Sequence, residues 1–253
     1  MSASTLPKAL IDLARRAGAE ILGVYETAFR VGAKEDASPV TEADLRAEAV
    51  ILEGLARIAP DTPVVAEESV AAGRVPDVSG GRFWLVDPLD GTREFVSRNG
   101  EFTVNVALVE DGRPVTGVVH LPALEQTYWG DREGAWRRHG NGEVEPVRCR
   151  QPDDGGLVVV ASRSHRDART DEYLQGLPVR ELIAAGSSLK LCRVAEGSAD
   201  LYPRLGRTME WDIAAGQAVL EAAGGSVRTL SGEPLRYGKP GFDNPVFVAR
   251  GLE

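Results

Sequence analysis

Trp84-Leu85-Val86-Asp87-Pro88-Leu89-Asp90-Gly91-Thr92, or WLVDPLDGT, is the stretch on which the reading of this chain turns. With Phe83 before it, its first half is a short apolar run that predicts a buried strand, FWLV at 83–86. Two carboxylates follow, three positions apart, at the strand's end, a place where active sites are built. Pro88 stiffens the turn and Gly91 permits a tight reversal, so Asp87 and Asp90 are expected to converge on one point. The Leu89 carbonyl lies between them and faces the same place. Hard oxygen donors with no His or Cys nearby select Mg²⁺ or Mn²⁺ over zinc. A D-x-x-D-G-T stretch on its own is also a common turn with an Asx bond, so the neighbouring sequence has to decide.

Upstream, Leu6, Leu10, Leu13, Ala17, Ile21 and Tyr25 recur every three or four residues and predict an amphipathic helix. A second helix is expected from Thr41, with Leu45, Leu52, Leu55 and Ile58 on its buried side. Strands are predicted at PVVA (63–66), FTVNVALV (102–109) and VTGVVH (115–120), the last two joined as a hairpin through EDGRP. QTYWG and GAWRR form a second hairpin across GDRE. From about residue 155 the rhythm alternates: strand LVVVAS, helix RDARTDEYL, strand VRELIA, helix SSLKLCRVAEG, strand ADLYPRL, helix WDIAAGQAVLEAAGG, then strands VRTL and PVFVA. The first half therefore reads as helices on an antiparallel sheet and the second as an α/β layer. The polar segment RCRQPDDGG (148–156) is the expected junction, dividing a subdomain of residues 1–150 from one of 151–253.

Two further acidic groups stand at the ends of predicted elements. Glu67-Glu68 follows PVVA, and Asp212 opens a helix after Trp211. Singly, a Glu-Glu pair is usually a solvated face and an Asp at a helix start serves the dipole. Acids after two strands and at a helix start together are harder to dismiss as structural.

The formal net charge of -9 argues against nucleic acid or an anionic membrane as partner, since both demand basic patches. No run approaches the ~20 apolar residues of a membrane span. Cys149 and Cys192 form neither a disulfide framework nor a zinc motif. With no signal peptide legible at the start, the expectation is a cytoplasmic protein, with peripheral association at the inner membrane left open.

Four blocks in order, KEDASPVTEAD (34–44), Glu67-Glu68-Ser69, WLVDPLDGT (84–92) and WDIAAG (211–216), resemble the signature of the lithium-sensitive inositol-monophosphatase-like superfamily. The resemblance covers most of the chain. It implies a layered αβαβα sandwich, with the active site between two subdomains. It also implies two or three Mg²⁺ ions, replaceable by Mn²⁺, at Glu67, Asp87, the Leu89 carbonyl, Asp90 and Asp212. Such ions clamp phosphoryl oxygens and lower the pKa of a bound water. Thr92, directly after the metal turn, is expected near that water, with Asp44 holding its hydroxyl. Thr41-x-x-Asp44 is equally a helix capping box, and the two roles do not exclude each other. The Gly91 and Thr92 amides are expected to open a short helix facing phosphate.

The second half bears on the substrate. SRSH (162–165), GSSLK (186–190) and LYPRLG (201–206) lie where predicted elements face the same crevice. Lys190 and Arg204 bring positive charge suited to a second, uncleaved phosphate. With EFVSRNGEFTVNVAL (94–108), these motifs resemble the 3'(2'),5'-bisphosphate nucleotidase branch of bacterial sulfate assimilation. That branch implies that Thr92, His165, Ser187 or Ser188, Lys190, Arg204 and Asp212 face the nucleotide. It departs at Arg93, where the branch often has Lys. The expected reaction is hydrolysis of adenosine 3',5'-bisphosphate to AMP, with its sulfated form as a second substrate, by a monomer or homodimer. The alternatives are an inositol or sugar phosphatase on the same scaffold, and a catalytically silent metal and nucleotide sensor.

Overall fold

The computed structural model describes residues 5–27, 31–33, 39–163 and 167–252. Helices α1 (Thr5–Tyr25) and α2 (Glu42–Ile58) lie side by side, with the short strands β1 (Val31–Ala33) and β2 (Pro39–Thr41) pairing between them. α1 buries Leu10, Leu13, Ala14, Ala17, Ile21 and Val24, a stripe of 3.6-residue period. α2 buries Ala43, Ala47, Ile51 and Leu55, with Leu52 and Ile58 partly buried against the same core; of the expected stripe only Leu45 faces out, 58% exposed. Small alanines face inward because α2 packs closely against α1; Gly54 has no room for a Cβ, which would stand 2.3 Å from Leu13 Cδ1.

Both helices cover one face of a seven-stranded sheet ordered β3 (Val64–Ala66), β4 (Arg82–Asp90), β5 (Thr103–Glu110), β6 (Arg113–Leu121), β7 (Gln126–Asp131), β8 (Gly134–His139) and β9 (Val144–Pro146). β3 and β4 are parallel and the other pairs antiparallel. Two five-residue helices interrupt it: α3 (Glu67–Ala71) after β3 and α4 (Thr92–Val96) after β4.

Residues 148–156 lead from β9 into the second sheet. It is ordered β11 (Val179–Ala185), β10 (Leu157–Ser162), β12 (Leu201–Arg204), β14 (Phe247–Arg250) and β13 (Ser226–Thr229). β10 runs parallel to both neighbours, and β12, β14 and β13 pair antiparallel. α6 (Leu189–Ala195) packs on this sheet and on α7 (Glu210–Ala222), while α7 packs on β5, β6 and β7 of the first. That contact is tight enough to require Gly117 on β6, where a Cβ would lie 2.4 Å from the Ala215 carbonyl oxygen. α5 (Ala168–Gln175) covers the outer face through Leu174 against Val159, Leu201 and Val248. The layers therefore run helix, sheet, helix, sheet, helix, the sandwich expected from the resemblance. The central helical layer belongs to the second half of the chain but shares one apolar core with both sheets.

Candidate active site

β4 does not stop at Val86. It continues to Asp90, with a break in register between Asp87 and Asp90 where it pairs with β5. The turn expected after FWLV is thus an irregularity inside the strand, placed where Pro88 has no N–H to give the ladder. Gly91 then takes φ 88°, a left-handed conformation that favours glycine, and α4 begins at Thr92. Strand passes to helix at the acids themselves.

Asp87 is buried, and its Oδ1 accepts the Leu89 N–H at 3.0 Å. Burial pushes its carboxyl well above the usual range, and the charges of Glu67, Asp90 and Asp212 push further. Asp212, at the start of α7, is raised well above its ordinary value for the same reasons: burial, then Asp90 and Glu67. Burial also raises Asp90, against the pull of Lys190. Acids from β4, α3 and α7 therefore feel one another strongly, although among the described residues no three such side chains are already gathered at ion-coordinating spacing. All donors are hard oxygens, and their mutual repulsion lacks a sufficient internal counter-charge. That donor chemistry fits divalent cations of the Mg²⁺ and Mn²⁺ kind.

Neighbouring polar groups fix these acids. Asp90 Oδ2 accepts from Ser188 N–H at 2.6 Å and, more loosely, from Thr103 Oγ1 and Asn105 Nδ2 at 3.4 Å each. Asn105 also donates to Ser188 Oγ at 3.1 Å, and Ser188 Oγ donates to the Asp212 carbonyl at 2.6 Å. Asp212 Oδ2 accepts the Met209 N–H at 2.9 Å, so it caps α7 while facing the other acids. Buried Glu48 of α2 accepts Glu68 N–H at 2.9 Å and Ser69 Oγ at 2.6 Å, which holds the start of α3 and so the placement of Glu67. Neither Asn105 nor Glu48 was singled out from sequence. The signal for Asn105 is an Asn and a Thr alternating on one face of an otherwise apolar strand. Glu48 carries no such signal.

Glu67, Asp90, Gly91, Thr92, Ser187, Ser188, Lys190, Arg204 and Asp212 line one cleft of about 250 Å³. Arg207 and Thr208 line it too, and sequence reading passed them over although Arg207 lies three residues beyond Arg204. Lys190 is buried. Its Nζ donates to the Ser187 carbonyl at 2.5 Å and stands 5.5 Å from the centre of the Tyr202 ring. Burial draws its pKa down to about 8, with Asp90 opposing that shift and Arg204 adding to it. Arg204 donates from Nη2 to the Arg207 carbonyl at 2.8 Å, but its Nε is buried without an acceptor among the described residues. A buried, unpaired guanidinium N–H in a cleft calls for an anion.

Thr92 Oγ1 donates to the Leu89 carbonyl at 3.3 Å. Asp44 is buried at the head of α2, where its Oδ2 accepts Thr41 N–H at 2.7 Å and Thr41 Oγ1 at 2.8 Å, while Thr41 Oγ1 accepts Ala43 N–H at 3.1 Å. The capping box is therefore formed. β2 packs against α4, which brings this corner to the Thr92 side of the site. His165 lies outside the described residues.

Acids raised by burial and by one another, beside a cleft that a buried lysine and an arginine also line, suit a metal-dependent phosphatase. The chain belongs to the inositol monophosphatase family, whose family model matches residues 2–246. Members of that family are metal-dependent phosphatases. Among its relatives is the 3'(2'),5'-bisphosphate nucleotidase CysQ of Salmonella typhimurium, 48% identical over 240 residues, covering 93% of this chain and 96% of that protein. The protein of the same name from Escherichia coli K12 is 47% identical over the same shares. In structure the chain resembles CysQ from Bacteroides thetaiotaomicron, a bacterial member of the family, with a TM-score of 0.85, 37% identity and coverage of 100% of this chain and 99% of that one. It also resembles an inositol monophosphatase from Anabaena, with TM-score 0.78, 27% identity and coverage of 99% and 92%.

Proposed function

We propose that this chain is a Mg²⁺-dependent 3'(2'),5'-bisphosphate nucleotidase that hydrolyses adenosine 3',5'-bisphosphate to AMP and phosphate, with the sulfated nucleotide as a second substrate. The observation that carries this is the Nε of Arg204, buried without an acceptor among the described residues, in the cleft that buried Lys190, Asp90 and Asp212 also line. A substrate with one phosphate to cleave and another to hold satisfies both kinds of charge in that cleft. Relatives near half-identity over almost the whole chain bear the nucleotidase name, which supports the same choice.

In this reading Glu67, Asp87, the Leu89 carbonyl, Asp90 and Asp212 hold the ions. Bound there, Mg²⁺ would neutralise the phosphoryl oxygens and acidify a water. Thr92 orients that water: its hydroxyl, here 3.3 Å from the Leu89 carbonyl, would direct its proton to Asp44, which leaves the oxygen to accept a hydrogen bond from the water. Asp44 serves as partner to Thr92 as well as capping α2. Gly91 and Thr92 offer backbone N–H groups at the start of α4, and Ser187 and Ser188 line the wall that faces the nucleotide. Lys190 and Arg204 grip the uncleaved phosphate, and His165 completes the nucleotide side. The division at 150/151 separates most ion ligands from most substrate contacts. A net charge of -9 repels a bisphosphate, so bound cations would neutralise it locally; the setting is cytoplasmic, and no described helix is long and apolar enough to cross a membrane.

A phosphate-release panel of adenosine 3',5'-bisphosphate, inositol 1-phosphate and fructose 1,6-bisphosphate, each with Mg²⁺ and with EDTA, tests the reading. Fastest release from the adenosine compound, abolished by EDTA, is expected. Preference for inositol 1-phosphate would move the chain to the other branch of its family.

A further inference from the structure

The tripeptide Gly186-Ser187-Ser188 joins an acid of the cleft to its lysine. Ser188 gives its N–H to Asp90, and the Ser187 carbonyl takes the Lys190 ammonium. Its shape is not one the chain adopts unaided. Ser187 has φ 43°, a left-handed conformation that is strained for a residue with a side chain. Gly186 has no room for a Cβ, which would stand 2.5 Å from Glu94 Cγ and 2.8 Å from the Glu101 carbonyl. Such strain persists only where the surroundings over-determine it.

Here those surroundings centre on Glu101, in the connection from α4 to β5. Its carboxylate accepts Gly186 N–H at 2.8 Å and a two-pronged pair of bonds from Arg163 at 3.0 Å each. Its backbone carbonyl accepts Ser187 Oγ at 2.8 Å. Arg163 reaches on to the Ala184 carbonyl at 2.9 Å, so the ends of β10 and β11 join the same knot. Glu101 lies 85 residues from Gly186 in sequence, and none of these bonds goes to Asp90 or Asp212. We propose that Glu101 is a positioning residue: through Gly186 and Ser187 it holds the Ser188 N–H on Asp90 and the Ser187 carbonyl on Lys190. The inference rests on the reading of Asp90 as an ion ligand. A ligating carboxylate is oriented by the groups that bond it, and losing such a partner typically costs about 10–100-fold in metal affinity or activity.

The test compares Glu101→Ala, Glu101→Gln and Arg163→Met with the unaltered protein. Mn²⁺ affinity is measured without substrate by electron paramagnetic resonance, together with kcat, KM and melting temperature. Glu101→Ala should weaken Mn²⁺ binding and lower kcat by about tenfold each. Glu101→Gln keeps an oxygen for the Gly186 N–H and should restore both to within about threefold, although its melting point falls because the Arg163 pair is gone. Arg163→Met, on the surface, should fall between them. Mn²⁺ affinity and kcat within about twofold of the parent in both Glu101→Ala and Arg163→Met would overturn the proposal. If Glu101→Ala does not fold, Mn²⁺ affinity and kcat within about twofold of the parent in Arg163→Met overturn it. No Mn²⁺ binding by the parent overturns it as well, since the ion reading falls with it. Weakened Mn²⁺ binding in the variants of a parent that leaves adenosine 3',5'-bisphosphate intact upholds the positioning role and removes only the substrate assignment.

Discussion

The molecule holds two groups of acids away from water and treats them in opposite ways. Glu196, at the end of α6, accepts from Tyr128 Oη at 2.7 Å, Arg137 Nη1 at 2.8 Å, Arg193 Nη1 at 2.7 Å and Ser198 Oγ at 2.9 Å. Asp200 receives two bonds from Arg150, at 2.8 and 3.1 Å, and the Val158 N–H at 2.7 Å. Burial pushes both carboxyls up, yet these bonds outweigh it and hold each below its ordinary value. Asp87 and Asp212 are buried more deeply and have other acids for neighbours, and go the other way. α6 serves both regimes: Lys190 in its first turn faces Asp90, and Arg193 in its last turn satisfies Glu196. Where the fold joins its two sheets it supplies its own counter-charge. Where it lines the cleft it withholds enough of it that an external cation is needed.

Substitution should separate the two groups most sharply. Asp90→Asn and Asp212→Asn each remove a charged hard-oxygen donor, and phosphate release should fall to background in both. Without metal neither should be less stable than the parent, because each also removes a repelled charge. Glu196→Gln should behave in reverse, losing on the order of 3 kcal/mol of stability while turnover per folded molecule is retained. Thermal melts in EDTA beside phosphate-release assays in Mg²⁺ give both readings. Full activity in either aspartate variant, or in EDTA, would break the distinction. The family resemblance adds inhibition by Li⁺, measured in the same assay.

Arg204→Ala probes the cationic wall. If Arg204 grips the phosphate that is not cleaved, its loss should cost about 1.5–3 kcal/mol, roughly 10- to 100-fold in kcat/KM, on adenosine 3',5'-bisphosphate and far less on a simple monophosphate. Equal losses on both would return Arg204 to the scaffold.

The pH dependence of the metal-free protein carries the contrast into stability. A carboxyl raised on folding brings no penalty below its unfolded pKa of about 3.9, and its penalty grows as pH rises toward the folded value. A lowered one, as in Glu196 and Asp200, stabilises above the unfolded value and loses that as pH falls. In EDTA, Asp87→Asn should therefore melt above the parent near neutral pH, and the gap should narrow as pH is lowered. A gap that widens on acidification would contradict the raised carboxyl of Asp87.

How much of this the chain's sequence discloses differs by region. The apolar strand at 83–86 and the alternation after residue 155 follow from apolar runs and punctuation, and the structure has both, although the strand runs on through the expected turn to Asp90. The inward face of α2 does not follow in this way, because two stripes overlap there. Leu45 outweighs Ala43 and Ala47 in hydrophobicity, yet it faces out while close packing on α1 selects the small residues; Leu52 is partly buried on the core as expected. Glu48 and Glu101 carry no local signal, since their partners lie 20 and 85 residues away. Local patterns report a residue's own element; a carboxylate that braces another element leaves no periodic trace.

The smallest expected effect concerns Asp44, which sits between the two regimes. Its Oδ2 is committed to Thr41 N–H and Oγ1, as a structural acid would be, while β2 beside it packs on the helix that Thr92 opens. Loss of the cap alone predicts about 1 kcal/mol of lost stability in Asp44→Asn, with normal turnover by the folded fraction. Service to Thr92 as well predicts a loss in kcat that disappears once Thr92 is gone, because members of one catalytic unit are strongly non-additive. Thr92→Ala should lower kcat by about 10²–10⁴-fold, the range for an oriented proton-handling group. Adding Asp44→Asn to it should then cost less than about twofold more in kcat, while the melting point still drops by the share due to the cap. The measurement is kcat for both single variants and the double, with a melt of each. Additive losses in log kcat would refute the pairing, and a lowered melting point with unchanged kcat in Asp44→Asn would leave this acid to the helix alone.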